Sequence, residues 1–182
     1  MDLDEFAPVL GAPLRPADTS VLEALQALWG VELPVGFLQV LTAYGDSTIA
    51  GFLILYGPRT LGFVGENDGP GLADWEILDD QDSIPIRPSP DGLVLWGSTA
   101  EGDELCLKQI DDRWIVAASL RHYFEWRDYD LEFTDWLHQV LTGRICEDWM
   151  PELQLPLPLP IAEFGRNPFA TTMGSGPAGA SL

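Results

Sequence analysis

The order of helix-like and strand-like segments is the feature that most constrains the fold of this chain. Apolar residues recur at helical spacing in residues 21–29 and 37–44, and again in residues 133–141. Shorter apolar runs with strand-like composition lie between them, separated by glycine, proline and aspartate. We therefore predict a single α+β domain in which the N-terminal helix pair and the C-terminal helix pack against a mainly antiparallel sheet.

Local signals predict where these three helices begin and end. Residues 20–23 form a capping-box pattern, in which the serine hydroxyl and the glutamate carboxylate bond unpaired amides, and Gly30 ends the helix. Pro34 suits the start of the second helix because its missing N–H would have no helical partner, and Gly45 ends that helix. Asp130 is the predicted N-cap of the third helix.

The strand predictions rest on short apolar runs and on the turns that separate them. Residues 49–56 are a continuous apolar run closed by glycine and proline, which predicts one buried strand. Further strands are predicted at residues 92–96, 104–110 and 113–118. The last two form a predicted hairpin because only two aspartates separate them. Residues 59–65 fit either a strand or a turn into a helix, and a short helix is predicted near residues 71–79.

Length and composition indicate one domain with flanking segments. The chain has 182 residues, of which 46% are hydrophobic and 21% charged, a composition typical of a globular domain. Residues 1–18 show little periodicity and are interpreted as an N-terminal extension, and residues 19–143 as the domain. Residues 144–182 are rich in proline and glycine and are interpreted as a partly disordered tail.

The charge balance limits the partners that this chain can bind. It carries 29 acidic residues against 9 lysines and arginines, which gives a formal net charge of −20. Binding to nucleic acid or to an anionic membrane requires clustered lysine and arginine, so neither partner is expected. A basic protein is the favoured partner because opposite charges speed the encounter, although acidity also serves solubility alone.

The N-terminal residues and the cysteine spacing allow a prediction of the cellular compartment. The N-terminus is acidic where a signal peptide would be basic, and no apolar run approaches the roughly 20 residues that span a bilayer. Cys106 and Cys146 are far apart and have no CxxC neighbour, so we expect reduced thiols, with Cys106 in a buried strand. A cytoplasmic protein is predicted.

No motif in the sequence predicts catalysis, a cofactor or a metal. Residues 65–71 are glycine-rich but carry acids and no lysine, unlike a phosphate-binding loop. Residues 79–83 are similar to the start of a calcium loop, but Ile84 stands where the turn glycine is needed. His122 and His138 are interpreted as structural. We predict no enzyme activity, no catalytic residue, no cofactor and no metal ligand.

Acidic residues that surround an aromatic side chain predict a protein-binding surface. Residues 66–82 hold seven acids and no lysine or arginine, with Trp75 among them, and a second acidic loop follows Gly97. A buried aromatic anchor with carboxylates at the rim suits a basic partner, whereas a solvated loop with Trp75 in the core remains the alternative. The predicted partner-binding residues are Glu66, Asp68, Asp74, Trp75, Glu76, Asp79, Asp80, Asp82, Glu101 and Asp103.

An ordered series of short motifs across residues 19–143 resembles the SUKH superfamily of Smi/Knr-type domains. The series begins with a Leu-Pro helix start and a Gly-Asp step, and it closes with an aromatic-bearing helix. Its segments are Trp29–Pro34, Gly36–Leu41, Tyr44–Asp46, Leu95–Gly97, Gly102–Leu107, Trp114–Val116 and Phe133–Leu137.

The resemblance implies a function that does not depend on catalytic residues. Members of this superfamily are mostly bacterial immunity proteins that bind and neutralise toxins, many of them basic nucleases or deaminases, and fungal members are regulatory scaffolds. We therefore expect a non-catalytic immunity protein that binds a basic toxin domain. A regulatory or scaffold module without inhibitory activity is the alternative, and a hydrolase or transferase is a third class that no motif supports.

Overall fold

A computed structural model describes residues 2–66, 76–78, 83–86, 92–123, 125–151, 153 and 156–164. A 3-10 helix, Leu3–Phe6, leads directly into the short helix α1. The helices are α1 (Ala7–Leu10), α2 (Ser20–Trp29), α3 (Val35–Tyr44), α4 (Pro58–Glu66) and α5 (Phe133–Leu141). Gly30 and Gly45 follow the last residues of α2 and α3, which confirms the predicted ends of both helices.

Seven strands of the described residues form one antiparallel sheet. Its strands are β1 (Ser47–Ile49), β2 (Leu53–Leu55), β5 (Val94–Thr99), β6 (Glu104–Ile110), β7 (Arg113–Leu120), β8 (Glu125–Tyr129) and β9 (Ile161–Glu163). They lie in the order β8-β7-β6-β5-β2-β1-β9, and β3 (Glu76–Leu78) pairs separately with β4 (Ser83–Pro85). An antiparallel sheet with a helix pair before it and helix α5 after strand β8 confirms the predicted α+β fold.

The apolar run at residues 49–56 is a hairpin rather than one strand. Ala50 and Gly51 both have positive φ, 54° and 69°, and they turn the chain between β1 and β2. Ile49, Leu53 and Leu55 are fully buried on either side of this turn. The turn is hard to predict because the two strands share one continuous apolar composition, and only the glycine marks a position that tolerates positive φ.

Helix starts and one edge strand also differ from the predictions. Helix α2 begins at Ser20, but its N-cap position is Thr19, whose hydroxyl donates to the Glu23 carboxylate. Helix α5 follows Glu132, and the predicted cap Asp130 instead accepts a hydrogen bond from the Arg113 guanidinium. Strand β8 was not predicted at all.

The structure assigns two further segments. For one of them the sequence left two alternatives, and for the other it predicted a helix. Residues 59–65 lie within helix α4, one of the two alternatives considered. Residues 76–78 form strand β3 where a helix near 71–79 was predicted, and the remainder of that segment lies outside the described residues. The β6–β7 hairpin is confirmed, with Ile110 opposite Arg113 and Asp111 at φ 53°.

Aromatic rings fasten α3 and α5 to the sheet. Trp96 of β5 is fully buried, and its ring centroid lies 4.9 Å from that of Phe133 and 5.9 Å from that of Trp136. Phe37 of α3 meets Phe133 edge-on at 4.9 Å. Edge-to-face pairs add about 0.5–1.5 kcal/mol each to the free energy gained by burial. One aromatic cluster therefore joins β5 to α5 and α5 to α3.

The segments before residue 19 and after residue 143 contribute to the same core. Phe6 and Leu10 are buried beneath the N-terminal turns. Strand β9 pairs with β1 along three residues, and the Leu159 amide donates to the Val9 carbonyl at 2.7 Å. The chain ends described here thus meet beside β1, which places both of them within the folded unit.

A buried carboxylate, Asp46, holds this meeting point together. The residue is 1% exposed and lies between the end of α3 and the start of α4. It accepts hydrogen bonds from the amides of Gly57, Arg59 and Thr60 and from the Thr60 hydroxyl, at 2.7 to 3.1 Å. A carboxylate placed at unpaired helix amides is stabilised both by hydrogen bonding and by the helix dipole.

Close approach of two glycines brings Asp46 to the helix. A Cβ on Gly45 would lie 2.5 Å from the Gly57 Cα, and a Cβ on Gly57 would lie 2.6 Å from the Asp46 amide nitrogen. Any side chain at either position would separate the two segments. The Gly-Asp step is therefore required by backbone packing as well as by the carboxylate.

Two arginines link this carboxylate to the C-terminal strand. Arg59 Nε lies 3.4 Å and Arg15 Nη1 3.8 Å from Asp46 Oδ2. Both guanidinium groups also reach Glu163 Oε1, at 3.0 Å and 2.6 Å. The Phe164 amide donates to the Asp46 carbonyl at 2.9 Å. Asp46 and Glu163 therefore share the same two cations across the β1–β9 junction.

Replacement of Leu159 by alanine tests whether the C-terminal segment stabilises the domain. Leu159 is 2% exposed, so the substitution should lower the free energy of unfolding by about 2–4 kcal/mol through lost burial and a residual cavity. Leu157 is 53% exposed, and Leu157→Ala is the matched control, with an expected change within about 0.5 kcal/mol. Urea unfolding measures both, and equal effects would contradict the packing of Leu159.

Substitution of Asp46 tests how much this buried carboxylate stabilises the fold, and the stabilisation should depend on pH. Burial alone would raise the pKa of Asp46, but hydrogen bonds from the Thr60 hydroxyl and from the amides of Arg59, Thr60 and Gly57 outweigh it, so the pKa lies below its usual value. A depressed pKa stabilises the folded state above the unfolded pKa of about 3.9, and this contribution is lost as the pH falls through the folded pKa.

We expect Asp46→Ala to lower the free energy of unfolding by about 3 kcal/mol near pH 7, because several donors lose their acceptor in the interior. The difference from wild type should shrink as the pH falls below about 4, since the wild-type carboxylate then becomes protonated. Asp112→Ala, in the exposed β6–β7 turn, removes a charge without a buried partner and serves as the control. A difference that stays constant from pH 7 to pH 2 would contradict this account.

Candidate partner-binding site

The predicted partner-binding residues are divided between described and undescribed parts of the chain. Asp68, Asp74, Trp75, Asp79, Asp80 and Asp82 lie outside the described residues. Glu66 is the last residue of α4, and Glu76 is the first residue of β3. The binding role of this acidic segment stays a prediction. Glu101 and Asp103 are described, and both lie in the loop between β5 and β6.

Glu101 and Asp103 line a surface cavity of about 390 Å³. Three segments that are distant in sequence form it: the β5–β6 loop, the β7–β8 turn and the chain after α5. The lining residues are Glu101, Asp103, His122, Tyr123, Asp148, Trp149, Met150 and Pro151. We call this site the acidic cavity, because it combines three carboxylates with aromatic and thioether side chains and contains no lysine or arginine among its lining residues.

Asp103 belongs to the wall of the acidic cavity and is itself buried. Its side chain is 3% exposed, and its two oxygens accept hydrogen bonds from the Thr99 hydroxyl at 2.6 Å and the Arg121 amide at 3.0 Å. These bonds tie the β5–β6 loop to the end of β7. Asp103 was predicted as a partner-binding residue, and the structure shows that its carboxylate also holds the loop in place. The exposed carboxylate of this loop is Glu101.

Arg127 of β8 positions the opposite wall. Its guanidinium donates to Asp148 Oδ1 at 2.7 Å, to Glu147 Oε2 at 3.0 Å and to Glu125 Oε1 at 2.8 Å. The hydrogen bond from Arg127 lowers the pKa of Asp148 below its usual value. Asp148 therefore stays ionised at pH values at which an ordinary carboxyl group becomes protonated. The same ion pairs hold the loop that carries Asp148 to the edge strand of the sheet.

Two exposed rings stand at the tip of the β7–β8 turn. Tyr123 is 52% exposed, and His122 Nε2 lies 3.6 Å from Glu101 Oε2 with both side chains open to solvent. Half-exposed tyrosine beside carboxylates is a common anchor in protein interfaces, because the ring buries area while its hydroxyl remains hydrogen-bonded. Tyr123 is therefore the exposed tyrosine of the acidic cavity.

The described residues were compared with the arrangements that metal binding and thiol chemistry require. No group of three histidine, cysteine, aspartate or glutamate side chains among them is arranged to hold a metal ion. Cys106 lies in β6, as predicted, and burial raises the pKa of its thiol well above the usual value, so it is a poor nucleophile. Glu104 beside it has a raised pKa, also through burial.

Sequence reasoning found two residues of the acidic cavity and missed the others. His122, Tyr123 and Asp148 are brought to Glu101 by the unpredicted strand β8 and by the Arg127 ion pairs. A usable signal was the isolated Arg127 among aromatic and acidic residues, since a single base in so acidic a segment indicates an internal ion pair.

Comparisons with known proteins identify no relative of this chain. No family model matches it, and no curated protein or solved structure matches it either. Within the described ranges, no helix combines the length and the hydropathy that crossing a bilayer requires.

A pair of alanine substitutions in the β5–β6 loop distinguishes a carboxylate that stabilises the fold from one that is only exposed at the surface. Asp103→Ala should lower the free energy of unfolding by about 1–3 kcal/mol, because the Thr99 hydroxyl and the Arg121 amide lose a buried acceptor. Glu101→Ala, two residues away and exposed, should change it by less than about 0.5 kcal/mol. Thermal or urea unfolding of both variants provides the measurement, and a tolerated Asp103→Ala would contradict the internal role.

Proposed function

We propose that this protein is a non-catalytic binding protein that neutralises a cognate basic toxin. The observation that carries the proposal is the acidic cavity, whose lining combines the exposed side chains of Glu101 and Asp148 with the half-exposed ring of Tyr123. A lysine or arginine of a partner can pair with the carboxylates while its aliphatic stem packs on the ring. The site is built to bind a cationic surface.

The overall charge supports the same partner. A net charge of −20 raises the local concentration of a basic protein and accelerates association, an effect that salt screens over a Debye length of about 8 Å. Basic nucleases present lysine and arginine because their substrates are polyanions. A carboxylate-rich protein that covers such a surface competes with the nucleic acid for the same groups.

The specific role in immunity rests on the SUKH-like series of motifs. Members of that superfamily bind toxins without any catalytic residue of their own, and the proposed binding mode needs none. A regulatory or scaffold module would use the same cavity without inhibiting its partner. The two functions therefore differ in the consequence of binding and require a functional experiment.

Co-expression tests the proposal directly. Each toxin domain encoded beside this gene would be expressed in a sensitive host with and without this protein, and growth would be measured. We expect rescue from one of them, together with a stable complex of the two purified proteins. A complex that forms without rescue supports the scaffold alternative, and the absence of both contradicts the proposal.

Single substitutions test whether the acidic cavity is the interface. Glu101→Lys and Tyr123→Ala should each weaken binding of the neutralised toxin about tenfold or more at low salt, and Glu101→Lys should also flatten the salt dependence of the dissociation constant. Asp112→Lys makes the same charge change in an exposed turn and is the matched control. Calorimetry at two salt concentrations measures all three.

The acidic segment at residues 66–82 is tested in the same assay. The triple reversal of Asp79, Asp80 and Asp82 to lysine weakens binding if that segment forms the interface. Loss of affinity in the triple variant with unchanged affinity in Glu101→Lys and Tyr123→Ala would place the interface there and exclude the acidic cavity.

A further inference from the structure

Strand β9 lies at the sheet edge opposite to the one from which its own chain arrives. The other strands of the sheet run in chain order from β1 at one side to β8 at the other, and β9 lies outside β1. The chain that leads to β9 leaves α5 on the β8 side, where the Arg127 guanidinium donates to Asp148 and the Trp149 indole donates to the Tyr129 hydroxyl at 3.0 Å. The connection must therefore cross the whole sheet to reach β1.

This connection is short for the distance that it spans. Strands β8 and β9 are separated by six interstrand spacings, which amount to about 29 Å. Residues 150–158 join Trp149 to Leu159, and a chain of this length reaches about 33 Å when fully extended but has a mean end-to-end distance of only about 17 Å when flexible. Pairing of β9 with β1 of the same chain thus requires an almost straight connection, and the effective concentration of β9 at that edge is low.

The contacts that hold β9 are made by residues 159–164. Strand β9 pairs with β1 along three residues, the Ala50 amide donates to the Pro160 carbonyl at 2.7 Å, and the Phe164 amide donates to the Asp46 carbonyl at 2.9 Å. The same segment contributes a buried leucine and a glutamate that binds two arginines. Because all of these groups lie on one short segment, a second copy of the chain can make every one of the same contacts.

The charges at this junction permit contact between two copies. A chain with a net charge of −20 repels a second copy as a whole. At the junction of β1 and β9, however, Asp46 and Glu163 lie 2.6 to 3.8 Å from Arg15 and Arg59. These two acids and two bases balance, so the junction itself adds no net charge to the repulsion.

We propose that residues 159–164 exchange between two copies of this chain, so that β9 of each copy pairs with β1 of the other. Exchange relieves the taut connection, because residues 150–158 then lead to a second sheet whose β1 edge can lie nearer to β8 of the first copy. The inference is independent of the proposed toxin binding, since the residues that line the acidic cavity include none from this junction.

Disulfide trapping shows which copy supplies β9. Thr48 and Ala162 lie directly opposite each other in β1 and β9, at a separation that suits a disulfide. The full chain would carry Thr48→Cys and Ala162→Cys, with Cys146→Ser to remove the exposed native thiol. After refolding and oxidation, we expect a covalent monomer at low protein concentration and an increasing share of covalent dimer as the concentration approaches about 1 mM, the effective concentration typical of a short flexible linker. A non-reducing gel separates the two.

The matched control places the second cysteine in β2 instead of β9. Thr48 and Ile54 are also directly opposite each other, but a tight turn joins their strands, so the bond between Thr48→Cys and Ile54→Cys should form within one chain at every concentration. Covalent dimers in this control, or exclusively monomeric bonds between positions 48 and 162 at all concentrations, would overturn the proposal.

The length of the connection provides a test that needs no cysteine. Pro156 and Leu157 are exposed, and their deletion shortens the connection by about 7 Å, which should make the dimer the main species. Insertion of a short glycine-serine segment after Pro156 should instead lower the dimer fraction at least about tenfold relative to the deletion variant. Size-exclusion chromatography with light scattering measures both. Equal dimer fractions in wild type and insertion variant would contradict the exchange, and this comparison remains decisive if the deletion variant does not fold.

Salt gives an independent readout of the same equilibrium. The ion pairs of Glu163 are present in both monomer and dimer, so salt weakens them equally, whereas it screens the repulsion between two acidic chains only in the dimer. The dimer fraction of the wild type should therefore rise with salt. A fraction that falls with salt would indicate association through exposed charges and would refute the exchange of β9.

Discussion

One buried carboxylate lies where the N-terminal segment, the start of α4 and strand β9 meet. Asp46 accepts hydrogen bonds from three amides at the start of α4, and its charge is balanced by Arg15 and Arg59. A buried carboxylate is tolerated only when hydrogen bonds replace its hydration, and here donors from residues 57–60 do so, with Arg15 as a second cation beside it. Because the same arginines also bind Glu163, the interaction orients β9 on β1 and completes one edge of the sheet.

The opposite edge of the sheet uses the same principle with the charges reversed. Arg127 of β8 is a single cation surrounded by Glu125, Glu147 and Asp148, and it draws the chain after α5 onto the strand. The chain has only 9 lysines and arginines. Five of them, Arg15, Arg59, Lys108, Arg113 and Arg127, form ion pairs with acidic residues. Much of the positive charge is thus held in intramolecular ion pairs, and the large excess of acidic residues sets the sign of the field around the molecule.

The sequence predicts this fold well where the apolar periodicity or the turn residues are compatible with only one local structure. The β6–β7 hairpin and the ends of α2 and α3 follow from two aspartates and two glycines. The β1–β2 hairpin does not follow, because both of its strands are buried and equally apolar. Strand β8 is a half-exposed edge strand with charged residues, so it lacks an apolar run. The acidic cavity is assembled from three distant segments, and spacing cannot show that the Asp103 carboxylate points inward while Glu101 points outward.

Salt separates the two forces that the proposed interface combines. The net charge of −20 attracts a basic protein from a distance, and this attraction weakens as salt screens it. Packing against the half-exposed ring of Tyr123 acts only on contact and is not screened. The part of the affinity that depends on this ring at high salt therefore distinguishes a directed site from a merely acidic surface.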